Sequence, residues 1–162
     1  MRKSKINISG FKIGTAENRE GLTGVTVILA PDGGATAGVD VRGCAPGTRE
    51  TDLLDPRKTV QKIHAVVLSG GSAFGLEAAS GCVKYLAEQG VGFPIGNVCV
   101  PIVCSAVLFD LMIGDEKAYP DLLMGYEAAK SASSEFLSGC NGAGTGATVG
   151  KLLGFENAMK SG

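Results

Sequence analysis

The stretch "VVLSGGSAFGLEAASG", Val66 to Gly81, holds the residues best placed for chemistry: an apolar run leads into two glycines and Ser72, and a helical pattern follows. Three roles fit Ser72: a nucleophile at a strand-to-helix turn, the donor end of an anion site, or a helix cap. The nucleophile elbow G-x-S-x-G needs glycine at position 74, where this chain has Phe74. Hydrolases built on that elbow also place their histidine after the serine, whereas the lone His64 precedes Ser72. His64 therefore reads as a packed strand histidine rather than a base.

A second glycine loop, "GAGTGA" from Gly142 to Ala147, fits the loose G-x-G-x-x-[GA] pattern, and "GATVGK" ends as a P-loop does. Thr145 stands where the P-loop requires glycine, however, and Leu152 follows Lys151 where a magnesium-binding hydroxyl belongs. The segment leading in, "SASSEFLSGC", is small and polar, unlike the hydrophobic strand of a dinucleotide fold. Nucleotide binding is set aside. Both loops share scarce side chains, which let another group approach main-chain N–H donors, and a helix start at Ser72 adds partial positive charge. A carboxylate or a developing oxyanion suits such a place. A tight turn at Gly70 and Gly71 with Ser72 as cap explains the same residues equally well.

The elements that must position these loops follow from periodicity. "GVTVILA", Gly24 to Ala30, is rich in β-branched residues, "PDGG" is turn chemistry and "ATAGVDVRG" alternates, which predicts a β-hairpin. A buried strand is expected around Ala65 to Leu68. From Ser72, Leu76, Ala79, Val83, Leu86 and Ala87 fall on one helical face, and Gly90 ends it. A second helix is expected within Cys104 to Ile113, and a third from Asp121 as N-cap to about Ser134, its small residues allowing close packing. The tail from Gly139 is glycine-rich and shows no closing element. The mixture predicts α+β layers without internal repeats.

Composition bounds the function classes. A length of 162 residues predicts a single domain spanning 1–162. Fifteen basic residues against sixteen acidic ones lack the footprint of a nucleic-acid binder. Five cysteines without a C-x-x-C pair, in apolar or glycine-rich surroundings, predict reduced thiols and a cytoplasmic setting. One histidine argues against a zinc site, so no metal and no cofactor is expected. "MRKSKINISGFKIG" lacks the apolar segment of a secretory signal, and the run Val98 to Phe109 is too short to span a bilayer. Mean hydropathy of +0.21 with no membrane span predicts apolar surface hidden against another chain or segment.

In order along the chain, "GLTGVTVILAPDGGATAGVDVRGCAPGTRETDLLDP", "HAVVLSGGSAFGLEAASG", "VPIV" with "SAVLFDL", and "GAGTGATVGKL" with "NAMKSG" resemble the N-terminal half of the L-aminopeptidase/D-esterase family. Relatives of that family include β-aminopeptidases and 6-aminohexanoate-oligomer hydrolases. The resemblance implies a four-layer αββα sandwich similar to N-terminal-nucleophile hydrolases, here incomplete. It also implies a precursor that cuts its own backbone before a serine or threonine, whose freed amine then serves as base for acyl transfer. On that resemblance the nucleophile, its acidic support and the oxyanion asparagine lie beyond these residues, so no catalytic residue is assigned within them.

Substrate contact is expected at Gly70, Gly71, Ser72 and Phe74, and at Gly144, Thr145 and Gly146. Phe74 departs from nylon-hydrolase relatives that carry tyrosine there. The implied partners are a C-terminal segment or second chain of the same precursor, a small peptide or amide substrate, and further copies in a homo-oligomer. The alternative is a non-catalytic binding or assembly subunit.

Overall fold

A computed structural model describes residues 2–161. Its centre is a five-stranded sheet in which β2 (Lys12–Asn18) and β3 (Thr23–Leu29) form an antiparallel hairpin. The β3 strand then pairs antiparallel with β5 (Ala65–Ser69), and β5 pairs parallel with β8 (Val103–Val107). The two-residue β4 (Thr48–Arg49) closes the far edge against β8. Outside this sheet β1 (Arg2–Lys5) pairs with β9 (Glu135–Ser138), β6 (Phe93–Ile95) with β7 (Val98–Val100), and β10 (Thr148–Val149) with β11 (Met159–Lys160).

Strand alternation sorts the central sheet into two faces. Val25, Val27 and Leu29 of β3, Ala65 and Val67 of β5, and Val103 of β8 point one way and are buried. They meet α1 (Ala78–Glu88) and α2 (Leu122–Lys130) through Ala78, Ala79, Cys82, Leu86, Ala128 and Ala129. The helices cross almost backbone to backbone: a methyl group on Gly125 would overlap the Ala78 carbonyl, and one on Gly81 the Leu122 carbonyl. Asp121 caps α2 by accepting from the Met124 N–H at 2.8 Å, as the sequence predicts.

The opposite face carries Ile13, Thr15, Thr26, Ile28, Val66, Leu68 and Ala106, and Leu68 is 39% exposed. No α-helix of the described residues covers it. The described residues thus build one helix layer on one main sheet, with an apolar sheet face left open.

Two expectations are corrected. "ATAGVDVRG" does not pair with β3: Val39 and Val41 are exposed, and its Ala35 forms an isolated bridge with Ile63, ahead of β5. The partner of β3 lies upstream in β2, whose more polar "KIGTAEN" hid its strand character. "VCSAV" is strand β8, not a helix. A short continuous apolar run has no period to separate the two, and its β-branched valines fit the doubly flanked position beside β5. The helix after Ser72 starts as a 3₁₀ segment, Ser72–Glu77, before α1. Its buried face runs through Ala78, Ala79, Cys82 and Leu86, leaving Ala87 exposed.

Candidate functional site

Strand β5 ends at the buried Ser69, and the chain turns through Gly70 and Gly71, the latter at φ 80° in the left-handed region that glycine tolerates. Ser72 follows at φ 52°, an uncommon conformation for a residue with a side chain. Gly71, not Ser72, occupies the cap position of the 3₁₀ segment, and no side chain caps it. The three amides are already used. Gly70 N–H donates to Gly24 O at 2.9 Å and Ser72 N–H to Leu108 O at 3.0 Å. Gly71 N–H donates to the Asp110 carboxylate at 2.6 Å. The loop is therefore tied into the sheet end, and what faces outward from it is the Ser72 side chain and the aromatic Phe74. Phe74 is 57% exposed and stacks on Tyr119, with ring centroids 4.6 Å apart.

The second loop forms a 3₁₀ turn, Gly142–Thr145, laid across β2 and β3. Gly142 N–H donates to Glu17 Oε2 at 3.2 Å and Ala143 N–H to Thr26 Oγ1 at 3.1 Å. Arg19 bridges Glu17 Oε1, at 2.6 Å, and Asn141 Oδ1, at 3.1 Å. The Lys160 ammonium donates to the carbonyls of Gly144 and Thr145, which ties the tail back to this turn. Thr145 is buried, and its hydroxyl has no hydrogen-bond partner.

The two loops, distant in sequence, meet on one buried side chain. Asp110 is 2% exposed; it accepts from Thr23 Oγ1 at 2.8 Å as well as from Gly71 N–H. A methyl group on Gly70 or on Gly146 would overlap its Oδ2. Gly70, Gly71 and Gly146 are thus brought together around Asp110, the residue that follows the apolar run Val98 to Phe109. The signal that could have found it is that position: a carboxylate directly continuing a buried strand is costly unless the fold supplies donors. Along the open sheet face lies a cavity of about 440 Å³ lined by Thr26, Leu68, Ser69, Leu108, Asn141 and Gly144 among others. Of the residues expected to contact substrate, Gly144 borders this cavity, whereas Gly70, Gly71, Ser72, Phe74, Thr145 and Gly146 stand outside its lining.

His64 is buried, and its Nδ1 accepts from Ile102 N–H at 3.1 Å, so it packs and bonds as a strand histidine. Burial pushes its pKa below the ordinary histidine value. Burial likewise pushes the Cys82 thiol up to about 12. Among the described residues no group of three or more His, Cys, Asp or Glu is gathered to hold a metal ion, and no helix is long and apolar enough to cross a membrane.

The fold and the cleft define a mixed α+β unit with one sheet face covered by helices and the other open along an apolar cavity. Comparison with known proteins specifies this further: residues 5–154 match the model of peptidase family S58, and the chain belongs to that family. A Mycobacterium tuberculosis protein named an uncharacterized aminopeptidase is 47% identical over 131 residues, covering 81% of this chain and 38% of that protein. The 6-aminohexanoate-oligomer endohydrolase of Paenarthrobacter ureafaciens is 36% identical over 149 residues, covering 91% of this chain and 39% of that enzyme. The chain thus spans about two fifths of the length of these relatives. The Burkholderia sp. β-aminopeptidase shares the fold, with a TM-score of 0.64 at 19% identity over 86% of this chain and 41% of that chain. A Pyrococcus horikoshii structure gives a TM-score of 0.67 at 24% identity, over 86% of this chain and 43% of that one.

Proposed function

We propose that the whole protein is an autoprocessing amide hydrolase, an aminopeptidase or amidase-esterase acting on small peptides or amides. In this reading the described residues supply the N-terminal helix layer and sheet of a four-layer αββα sandwich. The attacking hydroxyl is that of a serine or threonine outside them, at the head of a second segment. The observation that carries the reading is the open apolar face through Ile13, Ile28, Val66 and Leu68, along which the cavity lies. A sheet with one buried face and one open apolar face calls for a second layer against it. That layer, from a C-terminal segment or second chain of the same precursor, would bring the nucleophile to the cavity mouth. Family membership and relatives named as an aminopeptidase and an oligomer endohydrolase support the chemistry.

In that arrangement a nucleophile whose own α-amine takes the proton needs no histidine, which accords with His64 being committed to packing. An acyl group would lie against the glycine loops, with Ser72 and Phe74 nearest the rim and Gly144, Thr145 and Gly146 behind. In the same reading the protein is a cytoplasmic homo-oligomer, and the buried Cys82 and Cys104 thiols accord with a reducing setting.

Full-length protein incubated with aminoacyl p-nitroanilides, D-amino esters, β-peptides and 6-aminohexanoate oligomers tests the reading, together with intact-mass analysis. Turnover of at least one class and two fragments, the second beginning with serine or threonine, is the expected outcome. An uncut chain that hydrolyses none of them points instead to a non-catalytic binding or assembly subunit.

A further inference from the structure

Among the described residues Asp110 forms no ion pair, and it is buried to 2% exposure just past the end of strand β8. Leaving water is costly for such a group, and it is repaid here by donors from two other elements. Gly71 N–H, in the turn after β5, donates at 2.6 Å, the short length of a charge-assisted bond. Thr23 Oγ1, at the start of β3, donates at 2.8 Å. From the far side the Gly146 backbone lies so close that a Cβ there would sit 2.6 Å from the Asp110 Cβ, and a Cβ on Gly70 would sit 2.9 Å from its Cγ. One side chain therefore bonds the first glycine loop and is walled by the second. The glycines of both loops are, in this light, the clearance that a buried carboxylate needs, since the Gly70, Gly71 and Ser72 amides are all spent within the protein.

We infer that Asp110 is a positioning residue: it holds the Gly70–Ser72 turn and the Gly142–Gly146 loop in one relative placement and so shapes the adjoining cavity, which the neighbouring Ser69, Leu108, Ala143 and Gly144 line. Its kinetic consequence rests on the hydrolase reading above; its structural consequence does not. Asparagine preserves much of the arrangement. Its Oδ1 can accept from Gly71 N–H, and its Nδ2 can donate to the Thr23 hydroxyl, which accepts as readily as it donates. Alanine removes both bonds and leaves the Gly71 N–H and Thr23 hydroxyl buried without partners.

The test uses full-length protein in four forms: native, Asp110→Ala, Asp110→Asn, and Val27→Ala as a core substitution on the helix-covered sheet face, away from the cavity. Hydrogen exchange read by mass spectrometry comes first. Asp110→Ala is expected to speed exchange at least tenfold in peptides covering 69–73 and also in those covering 142–147. Asp110→Asn should stay within threefold of native, and Val27→Ala should leave both segments unchanged. On a substrate that the native protein turns over, Asp110→Ala should lower kcat at least thirtyfold with KM within threefold, and Asp110→Asn should restore most of it.

Faster exchange in one loop alone, an equal response to Val27→Ala, or native kcat in Asp110→Ala overturns the inference. If Asp110→Ala does not fold, Gly146→Ala serves instead. It displaces the same carboxylate from the second loop, so exchange must rise in 69–73, and a change confined to 142–147 overturns the proposal. Should the native protein turn over nothing, the hydrolase reading fails, while the exchange result still decides whether Asp110 couples the loops.

Discussion

Gly125→Ala in α2 separates intrinsic preference from packing because the two predict opposite signs. Alanine is about 1 kcal/mol better than glycine in a helix interior, so exposed helix physics alone predicts stabilisation. Gly125 is not exposed. It faces α1 at Ala78, and the new methyl would overlap the Ala78 carbonyl oxygen and stand 2.8 Å from the Ala78 Cα, where ordinary contact begins at 3.4 Å. Backbone atoms cannot rotate away, so the helices must part by about half an ångström or more. A gap of that size forfeits roughly a quarter to a half of each dispersion contact along the seam of Ala78, Ala79, Cys82, Ala128 and Ala129. Overpacking costs about 1–3 kcal/mol, and against backbone that cannot yield the upper part, about 2–3 kcal/mol, applies; subtracting the helix gain leaves a net loss of about 1–2 kcal/mol. In a domain of this size the melting temperature should fall by about 2–8 °C. Thermal and urea unfolding of full-length protein measure it, with Gly38→Ala as the comparison. Gly38 has open space around its Cβ position, so alanine there should stabilise by about 0.4–1 kcal/mol. A Gly125→Ala protein more stable than native would refute the backbone-to-backbone crossing.

Further expectations concern titration, reactivity and the open face. His64 is held neutral by burial, and a proton on Nδ1 would displace the Ile102 donor. Its folded pKa lies below the unfolded value near 6.5, so its contribution is complete above that pH and is lost as pH falls through the folded pKa. Unfolding free energy should therefore decline below about pH 6.5, by up to about 1.4 kcal/mol per pH unit from this group, and His64→Gln should flatten that decline in urea titrations. Cys82, fully buried with its thiol raised to about 12, should resist N-ethylmaleimide in the native protein while Cys44 reacts; peptide mapping that finds Cys82 labelled before Cys44 contradicts its placement. Leu68→Asp should cost full-length protein more than about 2 kcal/mol if a second layer lies on the open face, against the roughly 0.5 kcal/mol typical of a surface change. A loss near the lower figure would remove that layer.

The sequence by itself determined what is local. The turn after β5, the helix that follows it and the Asp121 cap depend on residues within one or two turns of each other, and each stands where composition and spacing put it. The ordered motifs likewise carried the family, because long matching stretches encode a fold even where no single residue reveals its role. Tertiary structure decided the pairings. "VCSAV" is a strand because β5 and β4 lie on either side of it, and "ATAGVDVRG" is not one because β2 already occupies the edge of β3. Neither fact is local, since a backbone ladder is satisfied by whichever partner arrives, not by the strand's own residues. The same reason hid Asp110: its meaning comes from Thr23, Gly70, Gly71 and Gly146, which lie 87, 40, 39 and 36 residues away and meet only once the sheet has formed.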